Sequence, residues 1–168
     1  MNNDKVIPIN SRLMAQHTEK AYFKYGRATT AARYEKLISD TAMALRRAVA
    51  DALDDAGYGE LEIQGMFSCA NMLRNKHDHE ARNYGPAIAE AALKKITSEF
   101  MQDEFLLPIT NEHTRTQKQR DILAAKRKAA AVEARILAAA LFSELDMEPA
   151  EIGLLFDAAA DNYIANNK

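Results

Sequence analysis

The most constraining feature of this sequence is a regular apolar stripe between Thr29 and Gly57. Within it, apolar or small residues recur at three- and four-residue spacing: Tyr34, Leu37, Ile38, Thr41, Leu45, Val49, Ala52 and Leu53. This period places them on one face of an α-helix that begins at Thr29 or Thr30 and ends before Gly57. Because so regular a face has to be buried against other elements, the stripe predicts a helical protein with a packed core.

The composition extends this prediction to the whole chain. Of the 168 residues, 48% are hydrophobic, which is typical of a globular domain, and Gly (6) and Pro (4) are scarce. Alanine, the residue that loses least on entering a helix, is abundant. We therefore predict an all-α fold, an irregular bundle of about five or six helices. It forms a single helical domain over residues 11–168, and residues 1–10 form an extended amino-terminal arm, because Pro8 disfavours helical geometry in the residue before it.

Capping residues, glycine and proline mark further helices. One helix is predicted from Ser11 to about Tyr25, with Gly26 beyond its end. Two others begin at Pro86 and Pro149, because proline fits the first turn of a helix, where its missing N–H costs nothing. The residues expected to face the core are Ile88, Ala92, Leu93, Ile96 and Phe100 in the first of these, and Ile152, Leu155, Phe156, Ala159 and Tyr163 in the second.

A long, partly projecting helix is predicted over about 112–145, and its two halves differ. Between Thr114 and Lys128 the only apolar residues are Ile122, Leu123, Ala124 and Ala125. So charged a stretch is expected to project into solvent or to lie on a partner. The second half is rich in alanine, which permits close approach between helices and predicts a homo-oligomer assembled through this half.

The region between the helices at Gly57 and Pro86 is less regular. Residues 61–73 fit either a short strand or a helix, and the polar residues 75–85 predict a loop. This loop contains the donor-rich run His77-Asp78-His79-Glu80, with His17, Cys69 and His113 elsewhere. A metal site needs several donors that converge from defined positions, and neither paired cysteines nor an HExxH motif is present. The prediction is a solvated loop without a metal.

Charge is distributed unevenly around a formal net value of −2. Residues 115–135 contain seven cations (Arg115, Lys118, Arg120, Lys126, Arg127, Lys128 and Arg135) and two anions, Asp121 and Glu133. Residues 136–167 contain no cation and six anions, namely Glu144, Asp146, Glu148, Glu151, Asp157 and Asp161. Local fields of this kind act on partners more strongly than the mean charge does.

Two basic segments are candidate nucleic-acid contacts. In the first, cations alternate with aromatic residues: Lys20, Tyr22, Lys24, Tyr25, Arg27 and Arg33. Cations neutralise phosphates and aromatic rings stack on unpaired bases, although these rings could equally anchor the first helix in the core. The second segment contains Arg115, Lys118, Arg120, Lys126, Arg127 and Lys128. Arg115 and Lys118 are expected to share one helix face, whereas Lys126, Arg127 and Lys128 splay around the axis. An ordinary solvated helix end would have the same composition.

Several classes of protein are disfavoured. The sequence has no recognisable nucleophile motif and no glycine-rich phosphate loop, so we expect neither an enzyme nor a cofactor. With Cys69 as its single cysteine, the chain cannot form an intrachain disulfide, which favours a reducing compartment. Neither a signal peptide nor an apolar run of the roughly 20 residues needed to span a bilayer is recognisable. These features predict a cytoplasmic protein that does not enter the membrane.

The function predicted from these patterns is non-enzymatic nucleic-acid binding, with single-stranded DNA as the favoured ligand. The protein would act in transcription or replication, and a short, alanine-rich chain of this kind suggests an accessory protein of a phage or mobile element. The alternative is a helical adaptor or inhibitor that docks on a protein partner through its acidic carboxyl-terminal region. Salt separates the two, because phosphate contacts weaken steeply as salt rises and an apolar interface does not.

Overall fold

The structure is a computed structural model that describes residues 27–98 and 113–166. Every regular element within these residues is an α-helix: α1 (Arg27–Asp55), α2 (Glu60–Tyr84), α3 (Pro86–Thr97), α4 (Gln117–Glu144) and α5 (Pro149–Asn166). The prediction of an all-α bundle is confirmed. The predicted arm over residues 1–10 and the predicted helix over residues 11–25 lie outside the described residues.

Helix α4 is the centre of the bundle, because it contacts all four of the other helices. Around it, α1 packs on α5 and α2 packs on α3. Every residue of α4 from Glu133 to Leu141 is buried, and Ala134, Ala138 and Ala140 are completely inaccessible. The alanine-rich half therefore provides close helix packing within one chain. Residues 133–141 cannot also form an exposed interface between copies, so the predicted site of assembly is corrected for this part of the helix.

The apolar stripes predicted for α1 and α5 face the core. Leu45, Val49 and Leu53 of α1 are fully buried, as is nearly all of Ile152 in α5. The stripe predicted for α3 is wrong in two positions, because Ile88 is 57% exposed and Ile96 is 46% exposed. Leu93 is buried as predicted, and helix α3 is rotated so that Ala89 and Thr97 are buried beside it. This rotation brings the Thr97 hydroxyl to Arg135 of α4, whose guanidinium donates to it over 2.9 Å. The predicted core residue Phe100 lies outside the described residues.

The loop predicted for residues 75–85 is wrong, because α2 continues as a helix to Tyr84. Leu73, His77 and Ala81 follow each other at four-residue spacing and are all half-buried, so this face of the helix has packing to keep it in place. Polar groups on the outer side bond along the helix. The side chain of Asn83 donates to the His79 carbonyl over 3.0 Å and lies 2.9 Å from the His79 ring nitrogen Nε2.

A glycine ends α1 as the sequence predicts. Gly57 has φ of 89°, in the left-handed region that favours glycine. Its amide donates to the Asp54 carbonyl over 3.0 Å, and the Tyr58 amide donates to the Leu53 carbonyl over 3.1 Å. This pair of bonds is the Schellman arrangement, which satisfies carbonyls at a helix end. It ends α1 at Asp55, and α2 begins a few residues later at Glu60.

Two glycine substitutions are expected to have opposite effects on stability. Gly57→Ala forces a side chain into the left-handed region and should lower the free energy of unfolding by about 1–2 kcal/mol. Gly65 lies inside α2, and the Cβ that Gly65→Ala adds meets no atom within 4 Å. This substitution should raise the free energy of unfolding by about 0.5–1 kcal/mol, because alanine favours a helix more than glycine does. Urea denaturation of the two variants measures both effects, and equal shifts would contradict this assignment of the two glycines.

Candidate nucleic-acid interface

The basic segment of α4 is positioned by a capping box at the start of the helix. The Thr116 hydroxyl accepts a hydrogen bond from the Gln119 amide over 3.2 Å, and the Gln119 side chain accepts from the Thr116 amide over 3.1 Å. These bonds satisfy amides that have no partner inside the helix. Helix α4 therefore begins at Gln117 and not near residue 112 as predicted, and the backbone from His113 to Arg115 is not helical.

Three of the predicted cations share one exposed face of this helix. At 3.6 residues per turn, Arg120, Arg127 and Lys128 fall within about 100° around the helix axis. All three side chains are exposed, and between them lie Ala124, which is exposed, and Ala131, which is half-buried. We call these five residues the basic face of α4. Arg120 donates to the Gln117 side-chain oxygen over 3.1 Å, and this neutral acceptor does not compensate its positive charge.

Lys118 and Lys126 do not belong to this face. Both lie on the side of α4 that packs on the rest of the chain, and both are half-buried. Near them, Leu123 and Ala125 are each only 8% exposed. The first half of α4 therefore rests on the bundle along one side and does not project freely, which corrects the prediction. The predicted grouping of Arg115 with Lys118 on one helix face is wrong, because Arg115 precedes the helix. The predicted splay of Lys126, Arg127 and Lys128 agrees with the structure, since Lys126 lies on the packed side and the other two are exposed.

The basic face ends at Ala131. One turn further, Arg135 lies on the same side of α4, but α3 covers it and only 8% of it is exposed. Its guanidinium donates to the Thr97 hydroxyl, which itself donates to the Leu93 carbonyl over 3.0 Å. Arg135 is therefore a buried contact between α3 and α4.

The other predicted basic segment lies mostly outside the described residues. Lys20, Tyr22, Lys24 and Tyr25 precede residue 27, and Arg27 is described only as part of the α1 backbone. Arg33 is exposed on α1, and Arg115 is exposed just before α4. Of the two predicted basic segments, the one on α4 is therefore the one whose side-chain positions can be described.

The structure also contains a buried ionic cluster that the sequence analysis missed. Glu133 of α4 is completely buried, and its two carboxylate oxygens accept hydrogen bonds from Arg46 of α1 and Arg74 of α2. Arg46 also donates to the Asn71 side chain over 2.6 Å, and its guanidinium lies 6.0 Å from the centre of the Phe67 ring. One carboxylate therefore joins three helices, and we call Glu133, Arg46 and Arg74 the glutamate cluster.

The charges of this cluster do not cancel. Burial lowers the pKa of both Arg46 and Arg74, and for Arg74 the charge of Arg46 lowers it further while Asp78 opposes this effect. A guanidinium nevertheless remains protonated in proteins. The cluster therefore holds two positive charges on one carboxylate, and both arginines are mostly buried. Its role in the described fold is to fix the mutual position of α1, α2 and α4.

The histidines, the cysteine and the carboxylates of the described residues form neither a metal site nor a reactive thiol site. Within residues 27–98 and 113–166, no three His, Cys, Asp or Glu side chains are grouped to hold a metal ion. The histidines of the predicted donor run lie on α2, where His77 Nε2 is buried without a hydrogen-bond partner. Burial raises the pKa of the Cys69 thiol, and the Glu144 carboxylate raises it further. Because the thiolate is the nucleophile, this cysteine is poorly suited to catalysis.

The shielding of Cys69 predicts slow reaction with thiol reagents. At neutral pH, the native chain should react at least about tenfold more slowly than the chain unfolded in urea, because its thiol is both buried and largely protonated. The rate should keep rising at pH values above the ordinary thiol pKa of about 8.5. Glu144→Gln removes the negative charge that raises the pKa of the thiol, so the rise in rate should begin at lower pH. Absorbance on reaction with a disulfide reagent measures the rate, and equal rates for native and unfolded chains would contradict the prediction.

Comparison with known proteins supplies no relative. No family model, curated protein or solved structure matches this chain. Among the described helices, none combines the length and the apolar character needed to cross a membrane. The functional argument therefore rests on the surface of the bundle itself.

Proposed function

We propose that this chain is a non-enzymatic nucleic-acid-binding protein whose preferred ligand is single-stranded DNA. The observation that carries the proposal is the basic face of α4, where Arg120, Arg127 and Lys128 point to the same side of one helix and are all exposed. Several cations on one face bind a polyanion more tightly than the same cations dispersed over the surface, since each can neutralise a phosphate of one strand.

The dimensions of this face suit a nucleic-acid backbone. Arg120 and Lys128 are separated by about 12 Å along the helix axis at 1.5 Å per residue. In a duplex, each strand carries one phosphate per roughly 3.4 Å of axis, so the face spans several phosphates. Ala124 and Ala131 lie between the cations and have short side chains. A strand can therefore approach the helix closely while the longer arginine and lysine side chains reach its phosphates.

The preference for a single strand depends on the aromatic residues of the amino-terminal segment. Tyr22 and Tyr25 would stack on unpaired bases, at roughly 1–3 kcal/mol for each base. The role proposed for the protein is that of an accessory factor in transcription or replication, in a phage or another mobile element. Its action is binding alone and involves neither a cofactor nor catalysis.

Fluorescence anisotropy tests this proposal directly. Labelled single-stranded DNA, duplex DNA and single-stranded RNA are titrated with the full chain at low and at physiological salt. We expect binding that weakens as salt rises, with single-stranded DNA bound most tightly. The Tyr22→Ala/Tyr25→Ala variant should lose the preference for single strands and keep the salt-sensitive binding. If none of the three nucleic acids binds at low salt, the proposal is wrong.

The surface of α5 favours a second candidate, a helical adaptor or inhibitor that docks on a protein partner. Leu154 is 70% exposed on this helix, and the anions of the acidic carboxyl-terminal region are all exposed. An adaptor that docks through apolar contacts should bind its partner almost equally well at low and high salt. Nucleic-acid binding by the basic face should instead fall steeply over the same range.

A further inference from the structure

Helix α5 presents an exposed face that combines acidic and apolar residues. Leu154, Asp157, Ala158, Asp161 and Ala165 fall within about 100° around its axis, and all five side chains are exposed. We call these residues the acidic face of α5. The end of α1 adds a further carboxylate beside it, because the Asn162 side chain donates to Asp55 over 3.2 Å. Leu154 is 70% exposed next to these carboxylates, so this face can make an apolar contact as well as ionic ones.

The acidic face of α5 is not neutralised within the described part of the chain. Within the described residues, 27–98 and 113–166, the salt bridges join Glu133 to the two arginines of the glutamate cluster, His77 to Asp78, and Lys94 to Glu90. None of these involves α5. Residues 136–167 also contain no cation that could act as a local partner. None of the salt bridges among the described residues therefore compensates the negative charge of this face.

The basic face of α4 is the complementary surface on the same molecule. Arg120, Ala124, Arg127 and Ala131 recur at four- and three-residue spacing, and so do Leu154, Ala158, Asp161 and Ala165 on α5. Both faces are thus ridges of similar width on their helices, with small residues between larger ones. Two such ridges can approach to the usual 8–10 Å between helix axes, which brings carboxylates and guanidinium groups together.

We propose that the acidic face of α5 in one molecule docks on the basic face of α4 in a second copy of this chain. The interface joins two different surfaces, so an open assembly keeps one unused acidic face at one end and one unused basic face at the other. Such a contact adds further copies in a head-to-tail manner unless the rotation closes a ring. The same cations also serve nucleic acid under the proposed function, so a second copy and a DNA strand compete for them. Self-association itself does not rest on nucleic-acid binding.

Sedimentation equilibrium of the full chain, without nucleic acid, tests this proposal. At low salt the weight-average mass should rise with concentration above the 18.7 kDa of one chain and pass twice that value. At high salt it should return to one chain, because salt screens the charges that join the two faces. A mass that stays at one chain at low salt and high concentration would overturn the proposal.

Two variants give a sharper test, because each removes one half of the interface. The basic-face variant is Arg120→Ala/Arg127→Ala/Lys128→Ala, and the acidic-face variant is Leu154→Ala/Asp157→Asn/Asp161→Asn. Each should remain a monomer alone. Mixed in equal amounts they should form a complex of two chains and no larger, because the mixture contains one intact interface. A mixture that stays monomeric, or an acidic-face variant that still self-associates, contradicts the docking mode.

A matched control shows whether the position of the cations matters. Arg47, Lys76 and Lys95 are three exposed cations on three different helices. Their replacement by alanine removes the same charge as the basic-face variant does and should leave self-association unchanged. The acidic-face variant should in addition bind single-stranded DNA at least as tightly as the unmodified chain, because its basic face has lost a competitor. Equal loss of self-association in the control variant would show a general charge effect and overturn the proposal.

Discussion

Replacing Glu133 by glutamine is expected to lower the free energy of unfolding by about 3–5 kcal/mol, the usual cost of removing one partner from a buried ion pair. Glutamine has nearly the same shape, so the loss does not come from a cavity. It comes from Arg46 and Arg74, which remain mostly buried and close together without the carboxylate that compensates their charges. Urea denaturation, followed by circular dichroism at the helix wavelengths, measures the change.

Two further variants control this experiment. Glu144→Gln makes the same chemical change at an exposed position of the same helix and should alter stability by no more than about 0.5 kcal/mol. The combined replacement Arg46→Met/Glu133→Leu/Arg74→Met removes all three charges at once. It should recover most of the loss, because well-packed apolar residues can substitute for a buried ionic group. A Glu133→Gln variant as stable as the Glu144→Gln control would show that the cluster does not hold the helices together.

The second large effect is expected in nucleic-acid binding. Alanine at Arg120, Arg127 and Lys128 together should weaken binding of single-stranded DNA about tenfold at physiological salt. Exposed ionic contacts contribute roughly 0.2–1 kcal/mol each, so three of them amount to about 0.6–3 kcal/mol, a range that includes a tenfold change. Since the side chains are exposed, the fold should remain intact, and the helical circular dichroism signal and the urea midpoint verify this. Anisotropy titrations give the dissociation constants.

The matched variant for this prediction carries alanine at Arg47, Lys76 and Lys95. It has the same net charge as the basic-face variant, but its lost cations were distributed over α1, α2 and α3. Non-specific attraction to DNA should fall by a similar small amount in both, and only the basic-face variant should lose the phosphate contacts of the site. Equal weakening in the two variants would mean that α4 has no special part in binding.

Much of the fold followed from the sequence because simple local signals specified it. The apolar stripe of α1 and the turn at Gly57 predicted the first described helix, and Pro86 and Pro149 marked the starts of α3 and α5. The start of α4 was missed although its signal is local, since Thr116 and Gln119 have the spacing of a capping box. The end of α2 was missed because residues 75–85 are mostly polar, although His77 and Ala81 continue the four-residue spacing of Leu73 on the packed side.

Of the glutamate cluster, only Glu133 could be recognised from the sequence, and its two arginine partners could not. Glu133 falls on the buried stripe of α4, three residues after Ala130 and four before Leu137, and a charge at such a position indicates a buried partner. Which partner could not be read from the sequence, because Arg46 and Arg74 come from separate helices. For the basic face, the sequence predicted Arg120, Arg127 and Lys128 together with Lys118 and Lys126. Only the packing of α4 separates the three exposed cations from these two.

The most direct test of the proposed function is the salt dependence of binding to a single-stranded DNA oligonucleotide. The logarithm of the association constant is measured against the logarithm of salt concentration between about 50 and 200 mM. For single strands each phosphate contact contributes roughly 0.7 to the slope, so loss of three contacts should make the slope of the basic-face variant shallower by about 2. The Arg47/Lys76/Lys95 variant should keep the slope of the unmodified chain. A steep slope that is unchanged in the basic-face variant, or a flat slope in the unmodified chain, would contradict binding through α4.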